Sequence, residues 1–263
     1  MDLGLRGRSA FVSGSTQGIG YAIASALAVE GVRVTLNGRT ADRVDVAVAG
    51  LRAEHPGAEV TGIVADFARA EEVERVTAAL DDVDILVNNV GLFGLAAFDE
   101  IDDDEWMRYF EVNVMSGVRL SRRALPGMLD RGWGRVVFIG SESGVNVPPD
   151  MVHYGTTKAA MIALANGLAK LTRGTAVTVN TVLGGPTYSE GAAAGVAAAA
   201  EAQSMSVEAM RDAIIGQNTT TLLERFLEPS EIAHLVTYLA SPRASATTGA
   251  AVRADGGVLT GIL

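Results

Sequence analysis

The chain has 263 residues, of which 48% are hydrophobic and 20% are charged, so it is too apolar for a disordered chain. Its 21 basic and 31 acidic residues give a net charge of −10, which opposes binding to nucleic acid or to an anionic membrane surface. The chain contains no cysteine, which excludes disulfide bonds, thiolate nucleophiles and cysteine-bound metals.

Strand-like runs alternate with stretches of helical composition along almost the whole chain. The predicted strands are Ser9–Ser13, Val32–Asn37, Val60–Val64, Ile85–Asn88, Arg135–Ile139, Ala176–Val182 and Ala250–Arg253. The predicted helices are Ile19–Glu30, Ala41–His55, Glu71–Leu80, Asp104–Asp130, Met151–Arg173 and the region from about Ser189 to Ala240. Connections of this length suit parallel strands, because a tight hairpin can only return the chain antiparallel. The sequence therefore predicts one α/β domain over residues 1–263, with a doubly wound parallel sheet of the Rossmann type and helices on both faces.

A glycine-rich turn joins the first predicted strand to the first predicted helix. Its spacing is G-x-x-x-G-x-G, which differs from the G-x-G-x-x-G fingerprint of the general dinucleotide fold. Glycines at such a turn let the backbone approach a pyrophosphate, and the helix N-terminus supplies N–H donors and partial positive charge. The turn predicts a nucleotide site built from Gly14, Ser15, Thr16, Gln17, Gly18, Ile19 and Gly20.

Polar residues follow each of the next three predicted strands. Arg39 stands just after the second strand, where no carboxylate is available for the ribose hydroxyls, so NADP is favoured and NAD is the alternative. Asp66, after the third strand, either accepts a hydrogen bond from the adenine amino group or caps the following helix. Asn89 and Gly91 follow the fourth strand and either form a turn or contact the cofactor.

Three further features have structural interpretations. The acidic run from Asp99 to Glu105 is interpreted as a helix cap, and no metal site is expected because no histidine is near. None of the three histidines has an evident serine partner, so each is interpreted as a surface or packing residue. The alanine-rich stretch from Gly191 to Ala202 is either helix filler or part of a substrate lid at about 187–217.

Tyr154 and Lys158 stand four residues apart in a predicted helix, so both project from one face. A free phenol has a pKa near 10 and is a poor acid or base at pH 7. A neighbouring ammonium, helped by an oxidised nicotinamide ring, can lower that pKa by about three units, which corresponds to about 4 kcal/mol. Ser141 follows the fifth strand and can donate to a carbonyl oxygen during hydride addition. The adjacent Glu142 lacks the sugar-site context of a glycosidase acid pair.

In combination, these motifs resemble the classical members of the short-chain dehydrogenase/reductase family over nearly the whole chain. The resemblance implies a seven-stranded parallel sheet and hydride exchange between NAD(P) and an alcohol or carbonyl carbon. It also implies that Tyr154 is the general acid/base, and that Lys158 holds the nicotinamide ribose and lowers the tyrosine pKa. Ser141 would orient the substrate oxygen. Asn113 matches the fourth catalytic position, which ties a proton-relay water into a helix, and Thr187 matches the residue that meets the nicotinamide carboxamide.

The chain departs from the family pattern at three positions. Val90 replaces the alanine of the usual Asn-Ala-Gly. Gly184 replaces the proline of the usual Pro-Gly after the sixth strand, which predicts a looser turn and an altered lid. Gln17 stands where NADP-preferring members often carry a basic residue, so Arg39 is expected to act largely alone.

We therefore expect an NADP(H)-preferring oxidoreductase that acts on a small carbonyl or secondary alcohol substrate. The alternative is a non-catalytic, dinucleotide-sensing regulator or scaffold on the same fold. The resemblance implies a homodimer or homotetramer assembled through the helices at 104–130 and 151–173. No run approaches the roughly 18 apolar residues of a membrane span, and residues 1–8 lack the apolar stretch of a secretion signal, so a cytoplasmic location is expected.

Overall fold

The computed structural model describes residues 2–78, 80 and 83–262, with the backbone alone at Ala70. Its strands are β1 Ser9–Val12, β2 Arg33–Gly38, β3 Val60–Val64, β4 Ile85–Asn88, β5 Trp133–Ser141, β6 Ala176–Gly184 and β7 Ala251–Ala254. Within the described residues these seven strands form one sheet in the order β3-β2-β1-β4-β5-β6-β7, and every neighbouring pair is parallel. The predicted α/β class with a seven-stranded parallel sheet is confirmed.

Helices occupy the connections and cover both faces of the sheet. They are α1 Gly18–Val29, α2 Ala41–Glu54, α3 Ala70–Ala78, α4 Asp103–Tyr109, α5 Ser116–Asp130, α6 Val152–Leu171, α7 Glu190–Ala202, α8 Val207–Gln217 and α9 Pro229–Ala240. The first core lies under α1, α2 and α9, and the second lies under α3, α5 and α6. Ala10 and Val12 of β1 enter the first core and Phe11 enters the second, as alternate side chains of a strand must.

The strand order fixes where a ligand can bind. The chain winds outward on one side from β1 to β3 and then returns to place β4 against the other side of β1. The carboxyl ends of all the strands therefore lie at one edge, with the reversal between β1 and β4. In open α/β sheets, ligands bind in the crevice outside that edge.

The predicted helix 104–130 is interrupted in the structure. A π-helical segment, Phe110–Met115, joins α4 to α5 and contains the buried Asn113. A π turn adds one residue to the helix and redirects the side chains at that point. The acidic run before α4 is a cap as predicted, since the Asp102 carboxylate accepts a hydrogen bond from Glu105 N at 2.8 Å.

The helical region predicted from 189 to 240 consists of three helices, α7, α8 and α9. Ser206 begins α8 by accepting a hydrogen bond from Ala209 N at 3.1 Å. Pro229 and a capping box formed by Glu228 and Glu231 begin α9. The composition predicted helix throughout, but these start signals divide it.

Both β5 and β6 run two residues beyond their predicted ends. Ser141 consequently pairs with Gly184, and Gly184 pairs with Ala254 of β7 on its other side. Gly184 is thus the last residue of β6, with a paired strand on each side, and the looser turn and altered lid stay predictions. β5 also begins two residues before its predicted start, at Trp133, and the remaining strand boundaries lie within one residue of their predicted positions.

The predicted helix 71–80 begins one residue earlier, at Ala70, and is described to Ala78, while residue 79 lies outside the described residues. Across the described part of the chain, no helix has the length and apolar character needed to cross a membrane.

Candidate active site

Backbone conformation and close packing explain the three glycines of the turn after β1. Gly14 and Gly18 both have φ of 61°, in the left-handed region that favours glycine. A Cβ atom on Gly20 would lie 2.4 Å from Gly14 O and 2.5 Å from Asn89 Nδ2. This spacing lets α1 begin directly beside the end of β1, so the N-terminus of α1 faces the carboxyl edge of the sheet.

Two asparagines hold the glycine turn from either side. Asn89 Nδ2 donates to Ser13 O at 3.0 Å and to Gly14 O at 2.9 Å. Asn37, in β2, accepts from Gly14 N at 3.0 Å, and its amide donates to Ala65 O at 3.2 Å. Sequence reasoning missed Asn37, although a polar residue in an otherwise apolar strand is a usable signal.

Most side chains of the turn are engaged within the protein. The buried Ser15 Oγ donates to Val12 O at 2.6 Å and accepts from Asn37 N at 3.0 Å. Thr16 packs over Gly38, where an added Cβ would lie 2.4 Å from Thr16 Cγ2. The Ser15 backbone N–H also donates within the protein, to Asn37 O at 2.8 Å.

The N-terminus of α1 fits an anionic group. Gln17 is the exposed N-cap of α1, and its side chain makes no capping hydrogen bond. The first N–H groups of a helix need an acceptor, which a phosphate supplies well. The segment after β6 lies beside this turn, since a Cβ on Gly18 would be 3.3 Å from Ser189 Cβ. Thr187 begins that segment and donates to Gly185 O at 2.9 Å.

A cationic cleft lies beyond the ends of β2 and β3. It has a volume of about 520 Å³ and is lined by Arg39, Thr40, Arg43, Asp66, Arg69 and Glu72. Arg43 lies in the first turn of α2, Arg39 precedes that helix, and Arg69 comes from the loop after β3. Three guanidinium groups thus face two carboxylates. The fold brings two more arginines to the cleft beside Arg39, and one of them, Arg69, pairs with the Glu72 carboxylate at 3.6 Å.

Asp66 is tied to the loop after β3. Its Oδ1 accepts from Ala68 N at 3.0 Å, and its own N–H donates to Glu72 Oε2 at 2.8 Å. One carboxylate oxygen of Asp66 therefore stabilises the turn that leads into α3. Asp66 also lines the arginine cleft. It does not cap α3, since its carboxylate accepts from the loop residue Ala68 and α3 begins at Ala70, and its contact with adenine stays a prediction.

Tyr154 and Lys158 lie side by side on α6. Lys158 Nζ is 5.5 Å from the centroid of the Tyr154 ring and donates to Ile139 O at 2.8 Å. Burial lowers the pKa of Lys158 to about 8, while the negative charge of Glu142 acts in the opposite direction. The ammonium form of Lys158 is therefore less strongly favoured than that of a solvent-exposed lysine.

The protein environment raises the pKa of Tyr154. Burial is the main cause, a hydrogen bond with Ser141 acts in the opposite direction, and the charges of Glu142 and Tyr109 add to the increase. The pKa of Tyr154 therefore does not show the lowering expected beside an ammonium, because desolvation of the phenolate dominates it. Phe93 packs edge-on against Tyr154 with ring centroids 5.3 Å apart, and 67% of Phe93 is exposed. An apolar surface therefore adjoins the phenol.

Asn113 joins the π segment to the loop after β4. Its Oδ1 accepts from Leu92 N at 2.6 Å, and its Nδ2 donates to Leu92 O at 3.1 Å and to Thr157 Oγ1 at 2.9 Å. A Cβ on Gly91 would lie 3.6 Å from both Asn113 Oδ1 and Lys158 Nζ. The structure thus brings Asn113 and Lys158 together beside Gly91.

Ser141 ends β5 and caps a short turn, Glu142–Gly144. Its hydroxyl donates to Glu142 Oε2 at 2.7 Å and accepts from Ser143 N at 3.1 Å. Ser143 Oγ donates to the second oxygen, Glu142 Oε1, at 3.2 Å. Burial raises the pKa of Glu142, although the hydrogen bonds from Ser141 and Ser143 oppose that change. Sequence reasoning found no partner for Glu142, because two adjacent residues at a strand end give no signal of a mutual contact.

Two histidines test the earlier interpretation. His153 is a packing residue as predicted, with its ring 4.1 Å from that of Tyr109, centroid to centroid. The expectation that no histidine has a serine partner is wrong, since Ser25 Oγ and His55 Nε2 lie 2.7 Å apart. The nearby Glu54 carboxylate approaches the same Nε2, at 3.9 Å. A catalytic triad needs the acid on the other ring nitrogen, so this pair is a tie between α1 and the end of α2.

Comparisons with known proteins identify the family of the chain. The model of the short chain dehydrogenase family matches residues 8–208. An uncharacterized oxidoreductase of Bacillus subtilis, YvaG, is 43% identical over 263 residues, which is the full length of both chains. L-sorbose reductase from Gluconobacter frateurii, solved with NADPH and L-sorbose, has a TM-score of 0.94 and 30% identity over the full length of both chains. Actinorhodin polyketide ketoreductase, solved with NADPH, has a TM-score of 0.87 and 32% identity, covering 95% of this chain and 97% of that one.

The chain therefore belongs to the short chain dehydrogenase/reductase family. It is an oxidoreductase of that family, which acts on ketone and alcohol groups with NAD(H) or NADP(H).

Proposed function

We propose that this protein interconverts a ketone and the corresponding secondary alcohol with NADP(H), using Tyr154 as the general acid and base. The observation that carries the proposal is the convergence of four side chains at the carboxyl edge of the sheet. Tyr154 and Lys158 share one face of α6, Ser141 ends β5, and Asn113 reaches the loop after β4. A pure nucleotide sensor has no need of a phenol there, which disfavours that alternative.

Each of the four side chains has a separate role in this proposal. A nicotinamide cofactor supplies hydride chemistry at the substrate carbon when it is bound. Tyr154 donates its proton to the carbonyl oxygen during reduction and removes it from the alcohol during oxidation. Lys158 has donors beyond the one given to Ile139 O, and these hold the nicotinamide ribose. Asn113 fixes the helix turn that carries the proton relay, and Ser141 orients the substrate oxygen.

The other predicted site residues would bind the remaining parts of the cofactor. The backbone of the glycine turn and the N-terminus of α1 would hold the pyrophosphate. Asn89 and Gly91 would line the cofactor at the end of β4, and Thr187 would meet the carboxamide. Asp66 would accept from adenine. The Arg39 cleft would hold the 2′-phosphate, which is why we favour NADP over NAD.

Two features of larger scale belong to the same proposal. The segment 187–217, which includes α7 and α8, would form a lid over the substrate. The helices α4, α5 and α6 would join copies of the chain into a homodimer or homotetramer, and Met107 and Leu171 are exposed apolar residues on them. We propose a cytoplasmic location for the assembly.

Tyr154→Phe tests the proposed chemistry. The variant keeps the ring and its contact with Phe93 but lacks the transferable proton, so turnover of a ketone panel with NADPH should fall by about 10²–10⁴-fold. The dissociation constant for NADPH should stay within about threefold, as measured by quenching of intrinsic fluorescence. A Tyr154→Phe enzyme with the activity of the wild type, or a wild type that reduces no ketone, would refute the assignment.

A further inference from the structure

Glu142 is a half-buried acid that the proposed chemistry does not use. It lies next to Ser141 at the end of β5, in a turn that packs closely on α6, since a Cβ on Gly144 would be 2.8 Å from Lys158 C. Both carboxylate oxygens of Glu142 accept hydrogen bonds from serine hydroxyls. Because Glu142 contacts the Ser141 hydroxyl directly, its charge can affect the hydrogen bonds that Ser141 makes.

The contact determines where the Ser141 proton points. A serine hydroxyl has a single proton, and Glu142 Oε2, at 2.7 Å from Ser141 Oγ, competes for it with the phenol oxygen of Tyr154, which also interacts with Ser141. While that bond persists, Ser141 offers only lone pairs to a substrate oxygen. If Glu142 is protonated instead, its own O–H donates to Ser141 Oγ, and the serine proton is released to point at the substrate.

We propose that Glu142 is a positioning residue that controls whether Ser141 can donate its hydroxyl proton to a substrate oxygen. Ionised Glu142 retains the serine proton, and protonated Glu142 releases it. The inference rests on the proposed function, because it concerns the hydrogen bond that stabilises negative charge on the substrate oxygen in the transition state. No bond is made or broken in the step, since only the direction of two hydrogen bonds changes.

The charges around Glu142 support such a control. Tyr154 and Lys158 on α6 interact with it electrostatically, and Tyr109 on α4 acts on Tyr154. Ser141 and Ser143 are neutral donors from its own turn. Burial raises the pKa of Glu142 above its ordinary value, which moves its ionisation toward neutral pH.

The test compares Glu142→Gln with the wild type across the pH range. The glutamine amide donates to Ser141 at every pH, so the variant resembles protonated Glu142. The ratio of kcat/KM for ketone reduction, variant over wild type, should be near one at acid pH and rise by about 10–100-fold as Glu142 ionises. Asp150→Asn removes an exposed acid from the same connection between β5 and α6 and should give a ratio that does not vary with pH.

A second comparison shows whether Glu142 acts through Ser141. In a Ser141→Ala background, adding Glu142→Gln should leave the pH profile unchanged, because no hydroxyl remains to be directed. A ratio that is independent of pH in the wild-type background would overturn the proposal. So would a pH-dependent ratio that persists in the Ser141→Ala background.

Thermal unfolding without added cofactor gives a readout that does not depend on activity. The raised pKa means that the folded state holds the Glu142 proton more tightly than the unfolded state, so this contribution to stability is lost as pH rises through the folded pKa. The Tm of Glu142→Gln should therefore exceed that of the wild type by an amount that grows with pH, and a constant difference would contradict the proposal. If the wild type reduces no ketone, the proposed function fails, whereas this unfolding result still reports on Glu142 itself.

Discussion

At the scale of single residues, the site places side chains under opposing influences. Burial disfavours the ammonium of Lys158 and the phenolate of Tyr154 alike, so the pKa of the lysine falls and that of the tyrosine rises. Burial therefore brings neither group closer to its charged form. The proposed chemistry therefore relies on the positive charge of a bound oxidised cofactor to favour the phenolate of Tyr154.

Arg39→Ala tests the cofactor preference. If Arg39 binds the 2′-phosphate, affinity for NADPH should fall by about 1.5–3 kcal/mol, the range for hydrogen bonds to charged groups, while affinity for NADH barely changes. Titration of both nucleotides into wild type and variant measures this. Arg173→Ala, an exposed arginine at the opposite edge of the sheet, is the matched control and should alter neither affinity.

Arg43 and Arg69 are expected to limit the loss of NADPH affinity in Arg39→Ala. Because both line the same cleft, they retain part of the attraction for phosphate when Arg39 is removed. The double variant Arg39→Ala/Arg43→Ala should weaken NADPH binding further than either change alone. Equal losses of affinity for NADPH and NADH would show that the cleft does not bind the 2′-phosphate.

Some contacts of the site could be predicted from the sequence and others could not, and the difference has a physical reason. Arg39 follows a strand directly and Tyr154 and Lys158 have helical spacing, so local sequence is enough to identify them. Arg69 reaches the cleft only through the pairing of β2 with β3, and Glu142 meets Ser141 through a turn conformation. Contacts that depend on tertiary placement leave no periodic signal in the chain.

At the scale of elements, the glycine turn depends on close approach between backbone segments. Gly20→Ala would place a methyl group 2.4 Å from Gly14 O, so the start of α1 must move away from β1. We expect a loss of about 1–3 kcal/mol in the free energy of unfolding, together with weaker binding of nucleotide. Urea denaturation and nucleotide titration measure the two effects.

Gly195→Ala is the matched control for that change. Gly195 lies within α7 and an added Cβ would meet nothing within 4 Å. Alanine should therefore stabilise the helix by about 0.5–1 kcal/mol. If Gly20→Ala proved as harmless as Gly195→Ala, the close approach at the turn would be wrong.

Element boundaries were predictable where caps and glycines mark them. The start of α4 at Asp102 and the turn before α1 follow from local chemistry. The π segment was not predictable, because Asn113 lies in a continuous helical pattern. Its side chain points inward because it hydrogen-bonds to the backbone of Leu92, 21 residues earlier. The strand ends at Ser141 and Gly184 extend because neighbouring strands pair there, which is again a tertiary effect.

At the scale of the whole molecule, alternation of strands and helices was enough to predict the sheet. Parallel strands with helical crossovers allow few arrangements, and these bring all carboxyl ends to one edge. The predicted site residues come from eight separate segments of the chain, and that single edge explains why they converge. The alternation does not predict the pKa values of Tyr154 and Lys158, which depend on burial at α6. Nor does it predict the charge of the cleft at Arg39, which depends on the residues that the fold brings there.

The central claim is that Tyr154 becomes an effective acid and base when the oxidised cofactor binds. The most direct measurement is the ultraviolet absorbance of tyrosinate as a function of pH, taken as the difference between wild type and Tyr154→Phe so that the other four tyrosines cancel. Saturating NADP⁺ should move the midpoint of this difference titration well below the ordinary tyrosine pKa of about 10. A midpoint that stays above about pH 10 with NADP⁺ bound would contradict the account.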